Sequence, residues 1–213
     1  MPNNIVNKML FPGIPVLSVV LLLFASYQAI AQSLPSVEKM VAERILGDKN
    51  APVEVIEYAS LTCPHCAAFH NGPWPKLKKE YVDTGKAKIV FRNFPFNYPA
   101  LLGSMVLECI PNNVRYDYMN ALFQLQPNWV VRENAKSTLE LYKIMQSGGM
   151  TKEEFDVCIN DKELEEKILQ KVINAQNEFN IRSTPSFLIN GILVEGNKSI
   201  KEFRQIIDKI LSQ

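Results

Sequence analysis

Cys63 and Cys66 stand three residues apart in Ser60-Leu61-Thr62-Cys63-Pro64-His65-Cys66-Ala67-Ala68-Phe69-His70, and both histidines of the chain lie in the same stretch. Thiols and imidazoles so placed can bind a metal, staple a loop or exchange disulfides. For a metal, Cys63, Cys66 and His70 fall at i, i+3 and i+7, roughly one helix face, and two thiolates with an imidazole suit zinc. A structural zinc needs a fourth ligand, and the chain has no second Cys-x-x-Cys and no His-x-x-x-His. As a staple the pair is weak, because closing so small a loop removes little unfolded-state entropy. Exchange accounts for more of the surroundings, and it needs no metal or organic cofactor, the disulfide itself being the redox group.

The elements that must hold the pair flank it closely. Val53-Glu54-Val55-Ile56-Glu57-Tyr58 is rich in β-branched residues and has strand length, and Pro64 suits the first turn of a helix, where its missing N–H would have no partner. Cys63 is therefore expected at a helix N-terminus, where unpaired N–H groups and the positive end of the helix dipole both stabilise a thiolate. The thiolate is the attacking species. Cys66, one turn inward, is expected to be the more buried thiol and to resolve a mixed disulfide formed at Cys63. Each unit by which the Cys63 pKa falls is about 1.4 kcal/mol of thiolate stabilisation, and a pair that prefers to be reduced oxidises its partners. His65 either supports the thiolate as a donor or positive charge, or is a solvent-facing spacer; His70 reads as an ordinary helix residue.

Further along, Val37 to Leu46 is helix-compatible and Gly47-Asp48-Lys49-Asn50-Ala51-Pro52 is a turn cluster. The helix after Cys63 should bend or restart near Gly72-Pro73-Trp74-Pro75 and continue through Tyr81. Ala87 to Phe94 favours a second strand ending at Pro95, and a strand, helix, strand unit favours a parallel pair. From Ala100 to Asn180 the apolar residues recur mostly at helical intervals, with a capping box at Thr151-Lys152-Glu153-Glu154. Strands return at Ser186 to Ile189 and Ile192 to Val194, joined by the hairpin dipeptide Asn190-Gly191. A second box, Ser199-Ile200-Lys201-Glu202, opens an amphipathic helix with Ile200, Phe203, Ile206, Ile207 and Ile210 on one face.

The 213 residues are 47% hydrophobic, enough for one domain with an inserted subdomain, and 23 basic against 22 acidic residues leave no field that would argue for nucleic acid. No charged residue occurs between Lys8 and Glu38, and an apolar run from Ile14 to Ala25 precedes Ala29-Ile30-Ala31. A basic start, an apolar stretch and a small-x-small site make residues 1–31 an export signal; the competing reading is an uncleaved anchor from Met9 to Ala31. Either places the rest of the chain where disulfides form. With Cys63 and Cys66 paired, the even cysteine count favours a second disulfide, Cys109–Cys158, over two buried free thiols.

The stretch Glu57-Tyr58-Ala59-Ser60-Leu61-Thr62-Cys63-Pro64-His65-Cys66, together with Ser183-Thr184-Pro185-Ser186-Phe187, resembles the DsbA family of thiol:disulfide oxidoreductases. The resemblance implies an α/β fold, thioredoxin-like with an inserted helical subdomain: residues 37–97 and 178–213 as the thioredoxin-like domain, 98–177 as the insertion. It implies that Pro185 is the family's cis-proline beside the cysteines, turning the Thr184 backbone outward to pair with a substrate strand. It also makes Glu57 the family's buried acid, able to relay the proton of Cys66, with Lys88 on the adjacent strand as a candidate partner; an exposed, edge-facing Glu57 is the alternative.

Thr184 departs from the family's best-known oxidases, which carry valine there, and matches related isomerases, whose cysteines enclose a different dipeptide. The function implied is periplasmic disulfide donation to reduced, unfolded secreted proteins, with reoxidation by a DsbB-type membrane partner. A disulfide isomerase or reductase is the nearest alternative; a chaperone-like or metal-carrying binding protein is one from another class. The segment between Ala31 and Val53 is too short for a separate dimerisation domain, so a monomer is expected.

Overall fold

The computed structural model describes residues 34–213, of which residues 35–213 form one compact unit. The expected export signal and its anchor alternative lie outside the described residues. Among those described, no helix is long and apolar enough to cross a membrane.

The chain enters through a single helical turn, Val37–Met40 (α1), and then Ile45–Leu46 (β1) joins a sheet edge. The helix expected to reach Leu46 thus stops after one turn. Ile45 and Leu46 lie opposite Val90 and Ile89 of the strand Ala87–Asn93, and pairing with that edge overrides a weak helical preference. The β-branched run extends as Val53–Ala59 (β2), followed by Pro64–Asn71 (α2), Pro73–Leu77 (α3), a π-helical turn over Lys78–Val82, and Ala87–Asn93 (β3). The break between α2 and α3 falls at Gly72-Pro73, where proline withholds an N–H from the helix ladder. β2 and β3 are parallel, Val53 opposite Ala87 through Ala59 opposite Asn93.

Six helices follow before the sheet resumes: Tyr98–Cys109 (α4), Arg115–Gln124 (α5), Gln126–Trp129 (α6), Asn134–Ser147 (α7), Lys152–Asn160 (α8) and Lys162–Phe179 (α9). The capping box of α8 is formed in both directions, Thr151 Oγ1 accepting from Glu154 N and Glu154 from Thr151 N. Ser186–Ile189 (β4) and Ile192–Glu195 (β5) make the hairpin, with Asn190 and Gly191 both at positive φ, as a type I′ turn requires. The second box opens the last helix, Ile200–Leu211 (α10).

The sheet order is β1-β3-β2-β4-β5, antiparallel at every pairing except β2 with β3. Both faces of β2 are covered. Val53 and Val55 point into a core with Phe69, Trp74, Leu77, Phe187, Phe203 and Ile207, while Ile56 and Tyr58 meet Val90, Leu188, Ala175 and Ile181 on the other side. This is the thioredoxin-like α/β fold, with helices inserted between β3 and β4.

Two devices tie the inserted helices down. Cys109, at the end of α4, is disulfide-bonded to Cys158 of α8, closing 49 residues. Substituting both with serine is expected to lower stability by about 2–4 kcal/mol, read as a lower urea midpoint with a slope that does not fall, since the unfolded chain is freed to expand. Beside it, Glu108 is buried and takes a bidentate fork from Arg115 (2.7 and 2.6 Å), a bond from Asn93 Nδ2 (2.7 Å) and one from Arg44 (3.2 Å).

Candidate active site

The chain leaves β2 at Ala59, turns with Cys63 N bonded to the Ser60 carbonyl (3.0 Å), and starts α2 at Pro64. Cys63 is the N-cap residue, extended at φ −79°, so its sulfur sits over the open end of the helix. Cys66 follows one turn into α2. Both are free thiols, Cys63 with 5% of its surface exposed and Cys66 with none. Pro64 and His65 face solvent between them. The His65 imidazole makes no hydrogen bond among the described residues; what reaches the Cys63 sulfur from His65 is its backbone N–H.

The two sulfurs are driven apart in acidity. A hydrogen bond from the Cys66 thiol holds Cys63 down to about 5, against burial, with smaller help from the Thr184 side chain and the N–H groups of Cys66 and His65. Burial pushes Cys66 far up, and so do its bond to Cys63 and the charge of Glu57. At neutral pH the arrangement is a thiolate with a narrow opening to solvent and a thiol with none. The folded value of Cys63 lies below its ordinary 9.0, so the stabilisation it gives the reduced protein is complete above about pH 9 and declines below it. It is gone once pH falls through about 5. Urea midpoints of the reduced protein should follow that slope between these limits, and those of the disulfide form should not.

Thr184 and Pro185, immediately before β4, complete the rim. Their peptide bond is cis, and the Cys63 sulfur lies 3.2 Å from the Thr184 carbonyl oxygen, to which it donates only when protonated. The inserted helices grip the same loop from the opposite side. Gln126 Nε2, buried, donates to the carbonyls of Leu61 (2.9 Å) and Cys63 (3.0 Å). Asn97, the N-cap of α4, donates to Thr62 Oγ1 at 2.9 Å while accepting from Ala100 N. Gly103 lets α4 come this close: a Cβ there would stand 3.1 Å from Leu61 and 3.3 Å from Trp129. Replacing Gln126 with leucine leaves the Leu61 carbonyl unpaired and the Cys63 carbonyl with the Ala67 N–H alone, and should cost about 1–3 kcal/mol in chemical unfolding.

Glu57 is buried, with 1% of its side chain exposed, and its partner is His70, not Lys88. His70 Nε2 lies 3.0 and 3.1 Å from the two carboxylate oxygens. Lys88 stands opposite Glu54 in the parallel register and pairs with that residue at 3.2 Å. Alternation along the strands explains the difference, since Glu54 and Lys88 share one face and Glu57 points to the other. His70 is thus no ordinary helix residue, and its ring is turned to Glu57 and away from any ligand set with the cysteines. Among the described residues no group of three or more His, Cys, Asp or Glu is placed to hold a metal. Sequence reasoning missed His70, Gln126 and Asn97. Only His70 carried a local signal, four residues after Cys66 on the same helix face.

The thioredoxin family model matches residues 39–209. A putative protein-disulfide oxidoreductase of Rickettsia felis is 33% identical over 172 residues, covering 80% of this chain and 61% of that protein, so the chain spans about three fifths of its length. Disulfide bond formation protein D of Bacillus subtilis is 28% identical over 181 residues, covering 78% of this chain and 76% of that one. The crystal structure of Wolbachia pipientis α-DsbA1 superposes with a TM-score of 0.76 at 34% identity, covering 84% of this chain and 94% of that chain. With a Cys-Pro-His-Cys helix start, a facing cis-proline and helices inserted before the hairpin, the chain belongs to the thioredoxin family and, within it, to the DsbA proteins.

Proposed function

We propose that this protein is an exported thiol:disulfide oxidoreductase that passes a Cys63–Cys66 disulfide to reduced, unfolded secreted proteins. The observation that carries the reading is the contrast between Cys63, held at about 5, and the fully buried Cys66 one turn below it. A client thiolate attacks Cys63 Sγ: the client–Cys63 bond forms, the Cys63–Cys66 bond breaks, and the electron pair stays on Cys66. A second client thiolate then attacks the client sulfur, closing the client disulfide and releasing Cys63 as a thiolate. Stabilising that leaving thiolate favours the reduced enzyme, so the disulfide travels outward.

In this reading Pro64 starts the helix that stabilises the thiolate, His65 contributes its backbone N–H, Glu57 manages the Cys66 proton, and the Thr184–Pro185 backbone receives an extended client segment. The thioredoxin-like part comprises residues 37–97 and 178–213 and the insertion residues 98–177. Residues 1–31 direct export to the periplasm, where a monomer is reoxidised by a DsbB-type membrane protein; no metal or organic cofactor takes part. Thr184 supports isomerisation or reduction as a second reading.

The deciding experiment titrates the Cys63 thiolate by its ultraviolet absorbance and then mixes oxidised protein with a reduced client. A midpoint about 5 with net disulfide transfer is expected. A midpoint near 9.0 would contradict donation. Rearrangement of a scrambled client faster than oxidation of a reduced one would favour the isomerase.

A further inference from the structure

Gln126 opens the single-turn helix α6, and the frame behind it is firmly held. Trp129, three residues on, is fully buried, its indole N–H donates to the Leu122 carbonyl (2.9 Å), and Val130 N bonds back to the Gln126 carbonyl (2.9 Å). From this frame the buried carboxamide directs Nε2 to two acceptors of the active-site loop, the carbonyls of Leu61 and Cys63, at 2.9 and 3.0 Å. Both amide hydrogens are then in use. The bond to Leu61 satisfies a carbonyl with no other partner among the described residues. The bond to Cys63 is not needed for that purpose, because the Cys63 carbonyl already takes the Ala67 N–H at 3.1 Å.

Its effect is on geometry. The N–H groups of His65 and Cys66, which reach the Cys63 sulfur, belong to the first turn of α2. Proline at position 64 locks its own φ, so the backbone torsion left to set the sulfur against that turn is ψ of Cys63, which stands at 121°. Turning that torsion swings the Cys63 carbonyl. A donor fixed to the inserted helices and bonded to this oxygen therefore holds the torsion, and the N–H groups stay aimed at the sulfur; hydrogen bonds weaken steeply once they are misaligned. We infer that Gln126 is a positioning residue for the exchange reaction: by holding the Cys63 carbonyl it fixes the sulfur over the helix start and sets how strongly the pair prefers to be reduced. The inference rests on the exchange chemistry proposed above and adds to it that the inserted helices, through one amide that never touches the sulfur, tune the redox poise.

The test compares the wild type, Gln126→Met and Gln126→Glu. Methionine keeps the length and removes both donors; glutamate keeps the shape and turns acceptor oxygens toward two carbonyls. The Cys63 absorbance titration should move up in Gln126→Met and further in Gln126→Glu. At equilibrium with glutathione the ratio of oxidised to reduced protein should rise about threefold or more in Gln126→Met. A residue that only holds the fold together lowers the urea midpoints of the oxidised and reduced forms alike. Here the reduced form should lose more than the oxidised one, because the redox shift and the difference in stability close one thermodynamic cycle. Equal losses in the two forms, with the titration and the glutathione equilibrium unchanged, would overturn the inference.

A readout without substitution guards against a variant that does not fold. In the wild type the side-chain amide resonances of Gln126 should move as Cys63 titrates through about 5, and resonances that stay flat across that range would overturn the inference as well. Failure of the exchange reading itself looks different, since the Cys63 of the wild type would then titrate near 9.0.

Discussion

Replacing Cys63 with serine is expected to reduce disulfide transfer to the background of uncatalysed exchange, a loss on the order of a thousandfold or more. The reason is chemical. A hydroxyl forms no mixed disulfide, and Cys66, with none of its surface exposed and its thiol pushed far up by burial, cannot take over as the attacking group. Cys66→Ser should fail differently, because Cys63 keeps its place at the helix start but its mixed disulfide has no resolving sulfur. That variant should accumulate client-linked protein on a non-reducing gel, where Cys63→Ser accumulates none. Full client oxidation by Cys63→Ser would remove Cys63 from the exchange, whereas client binding without any loss on that substitution would favour a binding protein.

The second large effect concerns stability. Arg115→Leu removes the bidentate fork from Glu108 and leaves a buried carboxylate with Arg44 and Asn93 alone. Breaking a buried pair from one side typically costs about 3–5 kcal/mol, because the remaining charge is uncompensated. Burial pushes the Glu108 carboxyl upward, with Arg44 pulling hardest the other way. Protonation therefore relieves the variant on the acid side, and its deficit should shrink between about pH 8 and about pH 5. The double variant Glu108→Met with Arg115→Met should recover part of the loss, since the stranded carboxylate is gone and only Arg44, with 13% of its side chain exposed, is left without its partner. A deficit that is the same at both pH values, measured by urea unfolding, would mean that lost packing and not the stranded charge is responsible.

What could be read in advance was what neighbouring residues decide among themselves. A β-branched run, five residues, then Cys-Pro gives a strand feeding a helix start, and Asn190-Gly191 and the two capping boxes carry their geometry in three or four residues. The features that escaped are set by distant partners. Ile45 and Leu46 become strand only because the edge of β3 is there to receive them. Glu57 finds His70 because α2 folds back over the face of β2 away from Lys88. Gln126 reaches the carbonyls of Leu61 and Cys63 across more than sixty residues, and no spacing rule connects them. The chemistry of the cysteines was legible; the shell that holds them still was not.

The short edges of the sheet acquire a meaning once the proposed work is considered. A protein that handles unfolded chains meets many extended segments, any of which could add to an exposed strand by backbone pairing and seed aggregation. β1 offers two residues at one edge. β5 offers four at the other, after which Gly196, at φ +81°, turns the chain away. A visiting strand therefore has little to template on along either side, while the backbone of Thr184 stands beside the Cys63 sulfur. The sheet geometry favours brief encounters next to the sulfur over lasting growth at its borders.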